Sequence, residues 1–539
     1  MVLHKESLKR SQSIQHLIIE IQMRVSTTAI ATPHPDAARA ARLAIEQGGN
    51  AIDAAAAAML TLCVVMPMQV GIGGYGGSLV LRTGTGKTVA IDFDTVAPQA
   101  FRAELYPNEQ TANHGYLALS IPAVIAGLAL AIKDHGKLPF SAACKYAADV
   151  AEQGFVVSEV FHKQIVQWTT RTDPVSRHAL FSGEIPRVGD LWIQKDQAKL
   201  LRRLATDGPD AFYHGEIPRA ICKQIQAHGG ILTEADFASY EPRYVEPLEI
   251  EYRGHTILTP PPPSGGLTTL QILKTLEQFD LTKIEPFSAE YYHLFAEATK
   301  LCWQDRSSTA GDPAFVEMPI AQLLSSEHAA GKAAQIRSGK LAASRAEKPT
   351  GPHTANVLVA DADGDLVSIT CTQGFLFGSQ VVIDGLGLVM GHGMSRFDFD
   401  RNSPNYPHPG KRPFHNMAPM IALRDGRSRF AVGLPGGTKI VTVTAQLMVN
   451  LIDFGLTPEQ AVTAPRIHVE THDPIAASSA VPDAILHKLE AMGHTTRRGQ
   501  DVGGPAPEIA GNANALAIDP ITGLPASAAQ AGSDAAIQF

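Results

Sequence analysis

One stretch of the sequence predicts a buried strand that begins with a threonine: Thr354-Ala355-Asn356-Val357-Leu358-Val359-Ala360-Asp361. β-Branched and apolar residues dominate it, Asp363-Gly364 supplies the turn that ends it, and a second strand is expected from Val367 to Thr372. Upstream, residues 332–353 are rich in small and polar residues and lack an apolar period, so we expect them to be mobile and exposed. A mobile segment leading into such a strand is the arrangement expected of a precursor that cleaves itself, so that the threonine becomes a new N-terminus.

The composition of the chain excludes several classes of protein. Of its 539 residues, 45% are hydrophobic and 18% are charged, as in an ordinary globular protein. Its net charge of −8, without a dense run of Lys or Arg, gives no general attraction for nucleic acid or anionic membranes. We therefore expect neither nucleic acid nor a membrane as a partner.

The cysteines and the first residues bear on the cellular compartment. The five cysteines are far apart, odd in number and without a Cys-x-x-Cys pair, so they indicate neither a disulfide framework nor a zinc site. The apolar run Leu17-Ile18-Ile19 is too short for a signal peptide or a membrane span. We expect a cytoplasmic protein in which residues 1–30 are disordered or frayed.

Two glycine-rich stretches invite functional interpretations. Residues 71–77 formally contain the G-x-G-x-x-G pattern, but a predicted helix precedes them and a strand follows, which is the reverse of a dinucleotide site. We expect these glycines to let main chains approach closely beneath an active site. Gly436 and Gly437 stand directly before a predicted helix, Ile440 to Phe454, so their N–H groups suit a developing oxyanion. No Gly-Lys-Ser/Thr sequence supports a phosphate loop there.

Five sequence blocks follow one another along the chain: Gln47-Gly48-Gly49-Asn50-Ala51-Ile52-Asp53-Ala54, Gly71-Ile72-Gly73-Gly74, Pro261-Pro262-Pro263-Ser264-Gly265-Gly266, Lys411-Arg412-Pro413 and Pro435-Gly436-Gly437. In type and order they resemble the γ-glutamyltransferase (γ-glutamyltranspeptidase) family of N-terminal-nucleophile hydrolases, over nearly the whole chain. The resemblance implies an α+β fold, a four-layer αββα sandwich. It also implies cleavage between His353 and Thr354, with a large subunit (31–353) and a small subunit (354–539) interleaved in one domain. Whether a higher oligomer forms stays open.

The resemblance implies roles for four residues. Thr354 matches the nucleophile, and its freed α-amine would act as the base. Thr372 matches the threonine that hydrogen-bonds the nucleophile. The N–H groups of Gly436 and Gly437 would hold the oxyanion, at roughly 3–4 kcal/mol for each donor removed. The implied enzyme is a threonine-nucleophile amidohydrolase or acyltransferase that forms an acyl-Thr354 intermediate from a small-molecule amide or peptide substrate.

The residues expected to choose the substrate depart from the family pattern. Asp94 stands where the family has an arginine that grips an α-carboxylate, and Arg396 stands where it has an aspartate that receives the α-amine. A γ-glutamyl group would therefore meet like charges at both positions. The other departures are His415 and Asn416 in place of paired serines, Gly374 in place of an asparagine and Asn356 in place of a histidine. We expect hydrolysis of a different small acid or acyl amide rather than of glutathione.

Several alternatives stay open at this point. Arg396 either holds a substrate carboxylate or forms a salt bridge with Asp94. The protein could instead be a true γ-glutamyltransferase or glutathione hydrolase that recognises the glutamyl group through other residues, or a silent homologue. Residues 400–410 replace a longer lid of the family, which either opens the cleft and favours hydrolysis or is a neutral trim of a surface loop.

Three histidines raise the question of a metal site. No His-x-x-His pair or carboxylate cluster at ligand spacing accompanies His34, His353 or His415. We therefore expect a mechanism that uses neither a metal nor another cofactor.

Overall fold

Two six-stranded antiparallel sheets lie at the centre of the structure, a computed structural model that describes residues 24, 26–182, 184–342, 353–498 and 513–530. In the first sheet the strands follow one another in the spatial order Ala29–Ala31, His353–Ala360, Leu366–Gly374, Gly76–Arg82, Thr88–Asp94 and Arg243–Val245. In the second sheet the order is Pro525–Ala529, Asn514–Ile518, Arg427–Gly433, Met420–Arg424, His255–Thr259 and Leu248–Tyr252. Each sheet therefore combines strands from both sides of position 354.

The two sheets pack face to face through small and branched apolar side chains. A polar contact also joins them, because Asn514 Nδ2 in the second sheet donates a hydrogen bond of 2.9 Å to the main-chain oxygen of Asn356 in the first. The apolar residues of the interface are Ala29, Ala31, Val80, Leu258, Leu358, Ala360, Leu366, Ile421, Leu423, Ala431 and Leu516. The predicted strand that begins near Thr354 contributes Leu358 and Ala360 to this interface, so one of its faces is buried against the second sheet.

Helices cover the outer face of the first sheet. The helix Ala51–Val65 is buried along its whole length, as its alanine-rich sequence predicted. Its first turn is fixed by a capping box, in which the side chains of Asn50 and Asp53 accept hydrogen bonds from each other's main-chain N–H groups. The other helices that contribute to this core are Pro35–Glu46, Val124–His135, Phe140–Gln153, Glu159–Thr169, Pro174–Phe181, Lys195–Asp207, Glu216–Ala227 and Glu234–Ala238.

A second group of helices packs on the second sheet. These helices are Gly266–Leu276, Ala289–Thr309, Ser326–Arg337, Lys439–Ile452, Pro458–Thr463 and Asp483–Ala491. The succession of helix, sheet, sheet and helix layers confirms the predicted α+β, αββα architecture. None of the helices in the described residues is long and apolar enough to cross a membrane.

Shorter elements join these layers. Two strand pairs are Phe155–Val156 with Leu191–Trp192 and Val382–Ile383 with Leu388–Val389. A small three-stranded sheet contains Ile467–His468, Ile475–Ala477 and Thr496–Arg498. The remaining short helices are Glu109–Asn113 and Ile320–Leu323, with 3₁₀ turns at Ala103–Leu105, Pro209–Phe212, Leu281–Lys283 and Gly393–Arg396.

The prediction that residues 332–353 are mobile and exposed is wrong for the first part of this segment. The helix Ser326–Arg337 extends into it, and Lys332 is buried, with its Nζ 2.8 Å from the main-chain oxygen of Leu301 and 2.9 Å from Asp305 Oδ2. The sequence hides this helix because two of its four buried residues are alanines and a third is Lys332, which leaves no visible apolar period. Residues 343–352 lie outside the described residues.

The predicted frayed N-terminus falls mostly on residues 1–23 and 25, which also lie outside the described residues. Its predicted limit at residue 30 is wrong. Ala29–Ala31 form a buried strand that pairs with His353–Ala360, with Ile30 opposite Val359. Residues 29 and 30 therefore belong to the first sheet.

Candidate active site

The hydroxyl groups of Thr354 and Thr372 meet on neighbouring strands of the first sheet. Thr354 Oγ1 donates a hydrogen bond of 3.2 Å to Thr372 Oγ1, and both side chains are buried. Thr372 Oγ1 in turn accepts a hydrogen bond of 3.0 Å from the main-chain N–H of Gly374. A bulge in the strand pairing brings Gly374 opposite His353. The two predicted threonines are thus in contact, while their roles as nucleophile and orienting residue stay predictions.

The main chain at Gly436 and Gly437 presents two N–H groups just before the helix Lys439–Ile452. Within the described residues, neither of these N–H groups donates a hydrogen bond. Unpaired N–H groups near the positive end of a helix dipole attract negative charge. The arrangement can therefore receive an oxyanion, as the sequence predicted, although no contact with a reacting group tests that role.

The strand that leads to these glycines packs tightly against the strand of Thr354. A Cβ atom on Gly433 would lie 2.2 Å from Asn356 Nδ2, so a larger residue at position 433 has no room. Asn356 is fully buried, and its Nδ2 donates hydrogen bonds of 2.9 Å to the Ile369 oxygen and 3.1 Å to Thr370 Oγ1. Asn356, which replaces a family histidine, therefore lies where the strand of Thr354 contacts the strand that leads to Gly436 and Gly437.

A buried polar network supports the residue after the two glycines. Thr438 Oγ1 donates a hydrogen bond of 2.6 Å to Glu470 Oε1, and His468 Nε2 lies 3.2 Å from the same oxygen. Burial raises the pKa of Glu470, but the hydrogen bonds from His468 and Thr438 outweigh it and lower the pKa overall. The ionised carboxylate thus anchors the loop of Gly436 and Gly437 to the strand Ile467–His468. Sequence reasoning missed this residue, because it lies more than thirty positions away from the glycines.

Asp94 and His415, both predicted to bind substrate, contact each other instead. Asp94 Oδ2 pairs with His415 Nε2, and the two side chains are almost completely buried. His415 Nδ1 accepts a hydrogen bond of 3.1 Å from the main-chain N–H of Met417, so Nε2 carries the proton that faces the carboxylate. The predicted alternative of an Asp94–Arg396 salt bridge is wrong, because the imidazole occupies that place.

The Asp94 carboxyl has an expected pH signature. Burial raises its pKa from 3.8 to about 6, although the His415 imidazole opposes the shift. Because the folded protein then holds this proton more tightly than the unfolded chain, the stability contributed is fully present below about pH 4 and is lost as the pH rises through about 6. We expect the free energy of unfolding of the parent, relative to that of Asp94→Asn, to be larger at pH 4 than at pH 7. Urea unfolding of both proteins at the two pH values measures this, and a difference that grows with pH would contradict it.

Arg396 and Asn416 do line an open cleft of about 660 Å³. Other residues of its wall are Arg306, Phe397, Phe414 and Thr438, and residues 402–405 of the short lid segment also contribute. Asn416 Oδ1 accepts a hydrogen bond from Arg306, whose guanidinium lies over the Phe414 ring. Neither Asp94 nor His415 is among the lining residues. Because the short segment borders the cleft, its length bears on access to the site.

Thr438 connects this cleft with the loop of Gly436 and Gly437. It lines the cleft and directly follows Gly437, whereas Thr354 is 4% exposed and lies outside the lining. The specificity candidates therefore divide into two sets: Arg396 and Asn416 line the cleft, whereas Asp94 and His415 form a buried pair outside its lining. The sequence could not make this division, since it depends on which side chains point into the cleft.

Tyr75, inside the glycine run, is a site residue that sequence reasoning missed. It is buried next to Gly76, which lies directly opposite Thr372 in the sheet. Burial raises the pKa of Tyr75 to about 12, while nearby Arg396 and a hydrogen bond with Thr372 oppose the rise. The prediction of close main-chain approach is confirmed, because a Cβ on Gly74 would lie 2.7 Å from the Thr372 oxygen. The signal in the sequence that could have indicated this residue is a single tyrosine within a run of glycines.

The histidines considered as metal ligands have other partners. His34 Nδ1 accepts a hydrogen bond of 3.2 Å from the Asp36 N–H and caps the helix Pro35–Glu46. His415 pairs with Asp94. The side chain of His353 lies outside the described part of the structure. Among the residues that the structure describes, no group of three or more His, Cys, Asp or Glu side chains is placed to hold a metal ion.

Comparisons with known proteins bear on the family. The family described as Gamma-glutamyltranspeptidase matches residues 37–535. The Acylase ACY 1 proenzyme of Pseudomonas sp. (strain SE83) is 36% identical over 509 residues, which cover 91% of this chain and 90% of that protein. The glutathione hydrolase proenzyme of Escherichia coli (strain K12) is 32% identical over 513 residues, which cover 89% of this chain and 88% of that protein.

A solved structure agrees over nearly the whole fold. The crystal structure of cephalosporin acylase from Bacillus halodurans matches with a TM-score of 0.88 at 29% sequence identity, covering 95% of this chain and 96% of that chain. Sequence and structure thus point to the same group of enzymes. The chain belongs to the gamma-glutamyltranspeptidase family of N-terminal-nucleophile hydrolases.

Proposed function

We propose that the chain is a precursor that cleaves itself between His353 and Thr354 and then hydrolyses amides through an acyl ester on Thr354. The observation that carries this proposal is the 3.2 Å hydrogen bond between the hydroxyls of Thr354 and Thr372. The two relatives compared by sequence are proenzymes, which supports a large subunit that ends at residue 353 and a small subunit that begins at Thr354. The cytoplasmic location stays a prediction from the sequence.

An N-terminal Thr354 supplies both the nucleophile and the base. Its Oγ1 attacks the substrate carbonyl carbon while the freed α-amine accepts the hydroxyl proton. The carbonyl oxygen becomes negatively charged and receives the N–H groups of Gly436 and Gly437. The amine then gives the proton to the leaving nitrogen, the C–N bond breaks, and Thr354 carries the acyl ester. Water attacks this ester by the same route and releases the acid, while Thr372 keeps Oγ1 oriented.

We place the acyl specificity on Arg396. This half-buried residue lines the cleft, and within the described residues no Asp or Glu oxygen lies within 4.0 Å of its guanidinium. A guanidinium without a carboxylate partner attracts a carboxylate and repels the α-amine of a γ-glutamyl group. The preferred acyl group therefore carries a carboxylate and no α-amine. The acylases among the relatives support an acyl group other than γ-glutamyl.

Two anilides that differ only by the α-amine test this function. We expect kcat/KM for glutaryl-p-nitroanilide to exceed that for γ-glutamyl-p-nitroanilide by about 100-fold, because only the first lacks a cation opposite Arg396. Arg396→Met is expected to remove most of this preference, whereas Arg401→Met, a matched change of an exposed arginine nearby, leaves it unchanged. Release of p-nitroaniline measures both rates. Robust turnover of the γ-glutamyl compound with no preference would instead favour a glutathione hydrolase.

A further inference from the structure

The ring of Phe375 lies against the guanidinium of Arg396. The Arg396 Cζ atom is 5.5 Å from the ring centroid, and Arg396 Nε donates a hydrogen bond of 3.2 Å to Ser395 Oγ. The main-chain oxygen of Arg396 accepts a hydrogen bond of 2.7 Å from Asn405 Nδ2, which fixes the backbone below the side chain. An aromatic face and a neutral hydroxyl therefore hold this cation, and its charge is not neutralised by a described carboxylate.

Phe375 is itself held by His392. The main-chain N–H of Phe375 donates a hydrogen bond of 2.8 Å to His392 Nε2, and the two rings meet edge to face at 4.6 Å between centroids. His392 is fully buried, and its Nδ1 lies 3.2 Å from the main-chain oxygen of Asn113. Because Nε2 accepts a hydrogen bond, Nδ1 carries the proton and donates it to that oxygen. Hydrogen bonds at both ring nitrogens thus fix the His392 imidazole, and the imidazole in turn fixes the main chain and the ring of Phe375.

The same imidazole explains the glycine at position 374. Gly374 has a φ of +100°, and a Cβ atom there would lie 1.9 Å from His392 Nε2. The asparagine of the family pattern does not fit in this space. The Gly374 N–H also donates to Thr372 Oγ1, so Phe375 is one residue away from a group that contacts the orienting threonine. The aromatic support of Arg396 therefore directly follows the strand that carries Thr372.

We propose that Phe375 is a positioning residue that sets acyl specificity by holding the Arg396 guanidinium ready for the carboxylate of the substrate. This inference rests on the proposed function. A carboxylate neighbour would hold the arginine equally well but would compete with the substrate for its charge and its N–H donors. The aromatic face attracts the cation and leaves those donors free. Holding the long side chain in advance also lowers the conformational entropy lost on binding.

Binding of glutarate, the acid expected from the glutaryl anilide, tests the proposal without turnover. We expect isothermal titration of the purified full-length enzyme to show binding that weakens roughly 5- to 20-fold in Phe375→Leu and that Phe375→Tyr restores. Phe375→Met serves the same comparison if the leucine variant does not fold. Equal affinity in the parent and the leucine or methionine variant would overturn the proposal. So would the absence of glutarate binding to the parent.

The kinetic pattern separates positioning from a general structural effect. In Phe375→Leu we expect KM for glutaryl-p-nitroanilide to rise by about the same factor while kcat changes less than about threefold. Pentanoyl-p-nitroanilide, which lacks the carboxylate, is expected to keep its kcat/KM. An equal loss with both anilides would assign Phe375 to packing alone and refute the proposal. If glutarate binds as expected but neither anilide is hydrolysed, the proposed function fails and the role of Phe375 stands.

Discussion

Replacing Thr354 with alanine is expected to leave the purified protein as one uncut chain without hydrolase activity. The change removes the hydroxyl that contacts Thr372 Oγ1 at 3.2 Å and that we propose as the nucleophile. Loss of the nucleophile costs about 10⁴-fold or more in comparable hydrolases, where only binding and the oxyanion donors remain. A denaturing gel of the parent should show two bands, with sizes set by a cut before Thr354. The alanine variant should show one.

A serine variant is the matched control for this experiment. Thr354→Ser keeps a hydroxyl at the same place, so we expect cleavage and activity to persist at reduced rates. Cleavage that continues in Thr354→Ala would place the scissile bond elsewhere. A parent protein that stays in one piece would overturn the whole mechanism and favour a silent homologue. Sequencing the N-terminus of the smaller band identifies the cleaved bond directly.

Removing the Asp94 carboxylate is expected to cause the largest loss of stability among the site residues. Asp94→Ala leaves the Nε2 proton of His415 without its partner in a fully buried place. Leaving a buried hydrogen-bond donor without its acceptor costs about 1–3 kcal/mol of unfolding free energy. Urea unfolding measures this loss, and the Thr354→Ala background keeps every sample as a single chain for the comparison.

Two further variants make this result interpretable. Asp94→Asn keeps the shape and a hydrogen-bond acceptor for His415, so most of the stability should remain. Asp384→Ala removes an exposed carboxylate on a turn and should change the unfolding free energy by less than about 0.5 kcal/mol. If Asp94→Ala unfolds at the same urea concentration as its parent, the buried pair contributes little to folding.

The elements that carry Thr354, Thr372 and the two glycines could be predicted from the sequence because they have local signals. Thr354 begins a strand of β-branched and apolar residues, and two glycines precede a helix with a clear apolar pattern. The strand pairing that joins Thr354 to Thr372 follows from their closeness in the chain and a short turn between their strands.

The specificity half could not be predicted, because it depends on contacts between distant segments. Asp94 and Arg396 have opposite charges, so a salt bridge between them was a reasonable hypothesis. Nothing in the sequence shows that the His415 imidazole, and not the Arg396 guanidinium, contacts the Asp94 carboxylate. The support of Arg396 by Phe375 is equally hidden, since it requires the bulge at Gly374 and a buried His392 from a different loop.

The origin of the strands in the two central sheets has a consequence for refolding of the protein. Each sheet takes strands from both sides of Thr354. In the uncut precursor these strands belong to one polypeptide, so folding is a first-order process whatever the protein concentration. After cleavage the same ladders would have to form between two separate chains, which adds the entropic cost of association. If the precursor is cleaved before Thr354 as proposed, the lifetime of the mature enzyme depends on how slowly it unfolds rather than on how readily it refolds.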